Sequence, residues 1–143
     1  LSPAETTKKV LELVNNIMPK IIIASGPIIV ENNKVLLNNH GDTNFWKFCG
    51  GQVEDFDSNL IEAAQREVKE EMGIDIKIVD EEPFITHTKK GDVDVILVHF
   101  LAERVGEIKP GDDIREWQWF EVDKLPDKLA PNILTVLKHF KFL

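Results

Sequence analysis

Hydrophobic residues recur at helical spacing in three segments of the chain. A serine–proline pair, which suits a helix start, precedes the first of them and predicts an N-terminal helix that ends near Pro19. Residues 59–72 have the strongest amphipathic pattern, and Gly73 marks the end of that helix. The third segment, residues 131–140, predicts a closing helix.

Runs of β-branched residues alternate with these helices and predict a sheet. Residues 20–30 and 35–37 predict a hairpin, in which Pro27 favours a bulge or an edge position. Residues 38–44 are polar and predict a loop. The remaining predicted strands are residues 74–79, 83–88, 92–103 and 117–122.

The order of these elements predicts one fold class and one domain. Strands interleaved with helices, of which only one is a full-length crossover helix, favour an α/β (α+β) fold in which helices sandwich a mixed sheet. A length of 143 residues suits a single core. We therefore expect residues 1–143 to form one domain, with a helical extension over residues 1–19.

The charge balance argues against one class of partner. Twenty-five acidic and 17 basic residues give a net charge of -8, which repels a nucleic-acid polymer. A small phosphate-bearing ligand is compatible with this charge, because a bound divalent cation inverts the local field. The single cysteine, Cys49, cannot form an internal disulfide, and no apolar run is long enough to span a membrane. We therefore expect a cytoplasmic location and no membrane partner.

Three glutamates on the central helix are the candidate chemical feature. Glu67 and Glu71 project beside the apolar face of this helix, and Glu70 shares their side at i, i+3 and i+4 spacing. Carboxylates crowded into a cleft repel one another, and Mg²⁺, which prefers carboxylate, water and phosphate oxygens, would offset that repulsion. The alternative is a solvated face that is supported by i, i+4 pairs of Arg66 with Glu62 and Glu70.

The central helix and the glycines before it form one motif. Residues 66–74 read Arg-Glu-Val-Lys-Glu-Glu-Met-Gly-Ile, and Gly50-Gly51 lie upstream. They resemble the Nudix hydrolase signature, in which Gly, five residues, Glu and seven residues precede Arg-Glu-aliphatic-x-Glu-Glu-x-Gly-aliphatic. The second half matches at every fixed position. The resemblance extends over most of residues 21–126 and implies a Nudix-type α/β/α sandwich.

The first half of the motif departs from the family pattern. After Gly51 and five intervening residues the chain has Asp57 instead of Glu, and eight residues rather than seven separate Asp57 from Arg66. One residue is therefore added near the start of the helix, where Asp57 or Ser58 is suited to cap it.

The resemblance implies a hydrolase with assigned residues. The family cleaves the pyrophosphate linkage of a nucleoside diphosphate joined to another group by attack of water, with Mg²⁺ or Mn²⁺. By position, Glu67, Glu70 and Glu71 would bind the metal, with the backbone carbonyl of Gly50 as a further ligand, and Glu67 is alternatively suited to orient water. Arg66 would brace the loop or the glutamates through paired hydrogen bonds, or else form a plain helix pair.

Residues outside the motif receive roles by the same resemblance. The general base of this family often comes from a later loop, for which Asp112, Asp113 and Glu116 are candidates, and Glu116 is preferred. Trp46 and Trp117 would stack on a nucleobase, although a tryptophan on a strand also packs in cores. The four histidines show no metal-ligand spacing and receive no role.

Other functions stay open from the sequence alone. The irregular first half of the motif favours a nucleotide-binding or sensor module on the same fold without turnover, and an acidic helix also suits a purely structural domain. Relatives that act on dinucleoside polyphosphates tend to carry a tyrosine downstream of the motif, and this chain has no tyrosine. Relatives that act on ADP-ribose tend to carry a proline where this chain has Thr88-Lys89. Both absences favour a nucleoside triphosphate or an unassigned substrate. The N-terminal helix is suited to a homodimer contact.

Overall fold

The computed structural model describes residues 1–17 and 20–143. Helices and strands alternate along this part of the chain much as the hydrophobic pattern predicts. The elements are α1 (Pro3–Ile17), β1 (Lys20–Glu31), β2 (Lys34–His40), β3 (Gly51–Gln52), α2 (Leu60–Met72), β4 (Asp75–Ile78), β5 (Phe84–Lys90), β6 (Val93–Val105), β7 (Ile114–Glu121) and α3 (Ile133–His139).

Strand β1 organises a mixed sheet. It pairs in parallel with β6 over ten residues, from Lys20 opposite Val93 to Ile29 opposite Ala102. Its other neighbours, β2 and β3, run antiparallel to it. The strand order is β4-β6-β1-β2-β7, with β3 beside β1 and β5 beside β6. The predicted α/β/α sandwich with a mixed sheet is confirmed.

Two hydrophobic cores lie on opposite faces of this sheet. Because successive side chains on a strand point to opposite faces, Leu36 packs with Val68 and Met72 of α2, whereas Leu37 packs with Leu137 of α3. Strands buried on both sides are continuous apolar runs rather than alternating ones, and β1 and β2 follow this rule. The two faces are called the α2 face and the α3 face below.

The ends of the central helix match the sequence in part. Gly73 ends the helix in a left-handed conformation with φ of 68°, as predicted. The predicted cap at Asp57 or Ser58 is wrong, because Asn59 caps the helix and its side-chain oxygen accepts the N–H of Glu62 at 2.8 Å.

Two other predictions fail near β1 and β2. Pro27 lies in an interior strand with unbroken register to β6, so it marks neither an edge strand nor a bulge in that ladder. On the other side of β1, the described residues pair with β3 before Pro27 and with β2 after it. The N–H that proline lacks therefore falls in the gap between these two ladders. The predicted loop from residue 38 is also wrong at its start, because β2 continues to His40.

The N-terminal helix matches its prediction as far as it is described. Helix α1 spans Pro3–Ile17, and the predicted end near Pro19 lies outside the described residues. In the described part of the chain, none of the helices is long and apolar enough to cross a membrane.

A buried histidine joins β6 to its neighbours on the α3 face. His99 is 5% exposed, and its Nε2 lies 3.1 Å from Thr86 Oγ1 and 3.2 Å from Asn132 Nδ2. Both partners have a proton to donate, so the neutral imidazole serves as acceptor. Burial lowers the pKa of His99 to about 4.

This histidine makes the stability of the protein depend on pH. Above the usual histidine pKa of 6.5 the ring is neutral in the folded and unfolded states. Between pH 6.5 and about 4 only the unfolded chain takes up the proton, so the free energy of unfolding falls as pH falls, by about 2–3 kcal/mol. Urea unfolding at pH 7 and pH 4.5 measures this loss.

The variant His99→Gln separates this contribution from those of other titrating groups. The glutamine oxygen accepts the same two hydrogen bonds but does not titrate. We expect the variant to lose less unfolding free energy than the wild type over this pH range. Equal losses in both proteins would contradict the assignment to His99.

Candidate active site

Helix α2 presents its three motif glutamates at three depths. Glu71 is 7% exposed, the side chain of Glu67 is 14% exposed, and that of Glu70 is 60% exposed. The helical period explains the order, because Glu67 and Glu71 lie one turn apart beside the apolar stripe while Glu70 turns outward. The acidic face is therefore partly inside the protein, unlike an ordinary solvated face.

The carboxylate of Glu71 is buried with one oxygen satisfied. Its Oε1 accepts the backbone N–H of Gly50 at 2.7 Å, whereas its Oε2 is buried without a hydrogen-bond partner among the described residues. Burial raises the pKa of Glu71 to about 7, against the opposing effects of the Lys47 charge and the Gly50 hydrogen bond. A buried carboxylate with an unpaired oxygen is costly unless a further partner binds it.

The glycine pair is needed for close approach on both sides. Gly50 has φ of 145°, and a Cβ there would lie 2.9 Å from the carbonyl oxygen of Ser25 on β1. A Cβ on Gly51 would overlap the carboxylate of Glu67. The pair therefore lets the loop fit between β1 and α2, and burial at this contact raises the pKa of Glu67.

Arg66 links the loop to the glutamates. Its Nε and Nη2 each lie 2.9 Å from an oxygen of Asp57, which is a bidentate pair. Its Nη1 donates to Glu67 at 3.0 Å and to Glu70 at 3.2 Å, and its Nη2 also donates to the carbonyl oxygen of Gln52. The bracing contacts and the i, i+4 helix pair that the sequence left as alternatives are both present.

Asp57 accommodates the extra residue of the motif. Its carboxylate accepts the Arg66 guanidinium and also the backbone N–H of Glu54 at 2.8 Å. The hydrogen bond from Arg66, followed by that from Glu54, lowers the pKa of Asp57 to about 2. An aspartate one position further from Arg66 therefore pairs with it directly, and the spacing of the three glutamates is unaffected.

The glutamates open into a small cavity between α2 and a loop that follows β6. The cavity has a volume of about 150 Å³. Its lining combines residues from three separate parts of the chain, which are His40, Glu67, Glu70, Glu71, Gly111, Asp112, Asp113 and Ile114.

Backbone hydrogen bonds hold this loop on the C-terminal end of α2. The N–H of Lys109 donates to Met72 O at 2.7 Å, and the N–H of Gly111 donates to Glu71 O at 2.8 Å. These are carbonyls that a helix end leaves without partners of its own. A Cβ on Gly111 would lie 2.6 Å from the carbonyl oxygen of Glu70, so the loop approaches closely only with glycine there.

A register shift brings the end of β7 into the cavity. Glu116 pairs with Asn39 but Ile114 pairs with His40, so Arg115 is the additional residue. The shift places Ile114 on the α2 face, where it packs with the α2 core, and it leads Asp112 and Asp113 into the lining.

Glu116, the preferred base in the sequence, lies elsewhere. Every second residue of β7 after Glu116 is on the same face, which gives Gln118 and then Phe120. Phe120 packs against the core of the α3 face. Alternation therefore directs Glu116 to the α3 face, away from α2. It is not part of the cavity lining, whereas Asp112 and Asp113 are.

The two tryptophans differ in their surroundings. Trp46 packs against the α3-face core, edge-on to Phe120 with 4.8 Å between ring centroids, and is thereby used for packing. Trp117 is 37% exposed and lies two residues from Trp119, which packs on the α2 face. Alternation places Trp117 on that same face, outside the cavity lining.

Two residues near the glutamates received no role from the sequence. His40 lines the cavity, and Lys47 acts on Glu71 through its charge. Continued alternation beyond Leu36 and Asn38 would have placed His40 on the α2 face, but the polar residues of this segment predicted a loop instead.

The donor set suits a hard divalent cation. The acidic side chains supply only oxygen, and the buried Oε2 of Glu71 is an acceptor that needs a partner. Within residues 1–17 and 20–143, no three His, Cys, Asp or Glu side chains are already grouped to hold an ion. Arg66 Nη1 contacts both Glu67 and Glu70 in this conformation. A carboxylate has two oxygens and about four lone-pair sites, so each of these two groups can accept from Arg66 and bind an ion at the same time.

Comparisons with known proteins agree on one family. The model of the NUDIX domain matches residues 22–140. An ADP-ribose pyrophosphatase from Methanocaldococcus jannaschii is 33% identical over an alignment of 127 residues, and the match covers 82% of this chain and 72% of the relative.

Solved structures share the fold. A MutT NUDIX hydrolase from Burkholderia pseudomallei has a TM-score of 0.73 at 22% identity, covering 83% of this chain and 97% of its own. A MutT protein from Methanosarcina mazei Go1 also has a TM-score of 0.73, at 23% identity, covering 87% of this chain and 95% of its own. The match of the family model over most of the chain carries the assignment. The chain therefore belongs to the Nudix family of pyrophosphohydrolases.

Proposed function

We propose that this protein hydrolyses the pyrophosphate linkage of a nucleoside diphosphate joined to a second group, in a reaction that depends on Mg²⁺ or Mn²⁺. The observation that carries the proposal is the buried Glu71 carboxylate, whose Oε2 has no partner among the described residues and which lies in a cavity with Glu67 and Glu70. A buried carboxylate oxygen without a hydrogen bond is costly, and a bound cation would offset that cost.

The metal would be held by the three glutamates, with the Gly50 carbonyl as a further ligand. When bound, such a cation lowers the pKa of water and neutralises phosphate charge. Arg66 positions Glu67 and Glu70 from the side of the loop, and Asp57 holds Arg66 in place.

The proton acceptor is proposed to come from the loop that completes the cavity. Asp112 and Asp113 line the cavity, and Glu116 faces the other side of the sheet, so the base is assigned to one of these two aspartates. Trp117 is the candidate for nucleobase stacking, because Trp46 is used in core packing.

ADP-ribose is the first substrate to test. The curated relative at 33% identity is an ADP-ribose pyrophosphatase, whereas the missing proline and tyrosine favour a nucleoside triphosphate. The net charge of -8 and the small acidic cavity support a small nucleotide rather than a nucleic-acid polymer. The single buried thiol of Cys49 is compatible with the cytoplasm.

The proposal is tested by product release from ADP-ribose, nucleotide sugars, dinucleoside polyphosphates and nucleoside triphosphates, with Mg²⁺ and then with chelator. We expect metal-dependent turnover of at least one of them. Nucleotide binding without turnover of any compound would instead establish the sensor alternative. The structure favours catalysis over that alternative, since Asp57 absorbs the extra residue by pairing with Arg66.

The variant Glu70→Gln tests the role of the glutamate cluster. Losing one charged oxygen ligand should lower kcat by at least about 100-fold with an unchanged melting temperature, because Glu70 is largely exposed. The matched control is Glu62→Gln, an exposed glutamate in the first turn of the same helix, which should retain wild-type kcat. Wild-type rates in Glu70→Gln would remove the assignment.

The variant Gly51→Ala tests whether the position of Glu67 matters for turnover. The added Cβ overlaps the Glu67 carboxylate, so that side chain must move, and kcat should fall by between about 10- and 100-fold. Gly91→Ala is the control for a strained alanine away from the glutamates. A Cβ there meets nothing within 4 Å, and the φ of 63° is unfavourable for alanine, so this variant should lose stability but keep wild-type kcat. If both variants keep wild-type kcat, Glu67 does not need its observed position.

We also propose that α1 mediates a homodimer. Val10, Leu11 and Leu13 are 52%, 58% and 59% exposed, and an isolated helix of this length is marginal in water. A second copy would cover these side chains.

Light scattering after size-exclusion chromatography tests the homodimer at chain concentrations of about 1 to 100 µM. We expect the wild type to approach twice the chain mass of 16.3 kDa and Leu13→Lys to stay at that mass. Glu12→Lys, on the same helix, controls for the added charge and should remain dimeric. A wild type that is monomeric at every concentration would refute the dimer.

A further inference from the structure

The cavity lining has one side chain of a different chemical kind. Five of its residues are acids, and Gly111 and Ile114 have no polar side-chain atoms. His40 is the one member of this lining with a side-chain N–H to donate. A phosphate oxygen that enters among five carboxylates needs such a donor, because every acid in the lining offers only acceptors when ionised.

The fold directs His40 toward the glutamates. Leu36, four residues earlier on β2, packs in the core of the α2 face, and alternation places His40 on the same face. Its cross-strand partner, Ile114, packs in that core as well. The register shift at Arg115 makes this pairing.

The backbone at His40 is held in place by its own turn. The Thr43 hydroxyl oxygen accepts the N–H of His40 at 3.2 Å and donates its own proton to His40 O at 2.8 Å. The turn is tied to the opposite wall of the cavity, because the N–H of Gly41 donates to Asp113 O at 2.9 Å. Arg115 Nη2 adds a hydrogen bond to Thr43 O at 2.8 Å.

Arg66, the cation in contact with two of these glutamates, is committed to other partners. The guanidinium of Arg66 is shared among Asp57, Glu67 and Glu70, and it is not part of the cavity lining. Using it for the substrate would give up the contacts that position two of the glutamates. The ring of His40, in contrast, holds none of these carboxylates through a hydrogen bond in the described part of the chain.

We infer that His40 contacts the substrate, by donating its imidazole N–H to a phosphate oxygen of the pyrophosphate linkage. This inference rests on the proposed function, since it names a substrate contact for that same site. The contact does not depend on a particular protonation state, because the neutral and the charged imidazole both carry an N–H. The contact stabilises the bound substrate and the transition state equally. Its loss therefore raises KM and leaves kcat nearly unchanged.

The variant His40→Ala tests the contact through the separation of KM from kcat. We expect KM to rise about tenfold, with kcat within about threefold of the wild type. His40→Asn, whose amide also donates N–H, should recover part of the lost affinity. His87→Ala is the matched control, because this exposed histidine lies on β5 and is paired with Asp94. It should leave KM unchanged.

Two kinetic results would overturn the inference. One is an unchanged KM in His40→Ala. The other is a shift of the Mg²⁺ concentration that gives half-maximal activity with KM unaltered, which would make His40 a metal ligand instead. Melting temperatures of all variants must match the wild type for either conclusion. If His40→Ala fails to fold, His40→Leu provides the test, because leucine fills more of the space and has no N–H to donate.

Calorimetric titration with inorganic pyrophosphate and Mg²⁺ separates this inference from the proposed function. If the wild type turns over none of the nucleotides, the proposed function fails. Weaker pyrophosphate binding by His40→Ala than by the wild type would still support the phosphate contact. Equal pyrophosphate affinity in the two proteins would overturn it.

Discussion

The buried carboxylate of Glu71 is the constraint on which the site depends. Removing an ionised carboxylate from water is costly, and here one hydrogen bond from Gly50 meets only one of its two oxygens. The raised pKa of this residue is the direct consequence. The remaining features of the site either bring further carboxylates to the same cavity or allow the loop backbone to approach α2 closely.

The contacts of Arg66 show how a departure from the family motif is tolerated. A salt bridge in which both carboxylate oxygens meet the guanidinium fixes direction as well as distance. Asp57 reaches this geometry from a loop that is one residue longer than the family pattern, and the loop absorbs the difference because Asn59, not Asp57, caps α2. The glutamates on the helix keep their spacing, since the helix itself sets it.

The opposite wall of the cavity comes from elements distant in sequence. The loop that contains Asp112 and Asp113 is held by carbonyl groups at the end of α2 that need partners, and the shifted register of β7 joins the loop to His40. Five carboxylates therefore meet around one small volume. This arrangement gives a divalent cation a strong field, and it makes the single histidine of the lining distinct.

The sequence by itself determined the family, the order of helices and strands, and the face of α2 on which Glu67 and Glu71 lie, because helical and strand periods are local properties of the chain. It could not show that Glu116 lies on the α3 face while Asp112, Asp113 and His40 line the cavity, because one additional residue in a strand reverses the faces of those beyond it. It also could not show that Trp46 packs in the core, which depends on Phe120 more than seventy residues away. Only the tertiary structure set these positions, since they follow from pairing between distant strands and not from any local pattern.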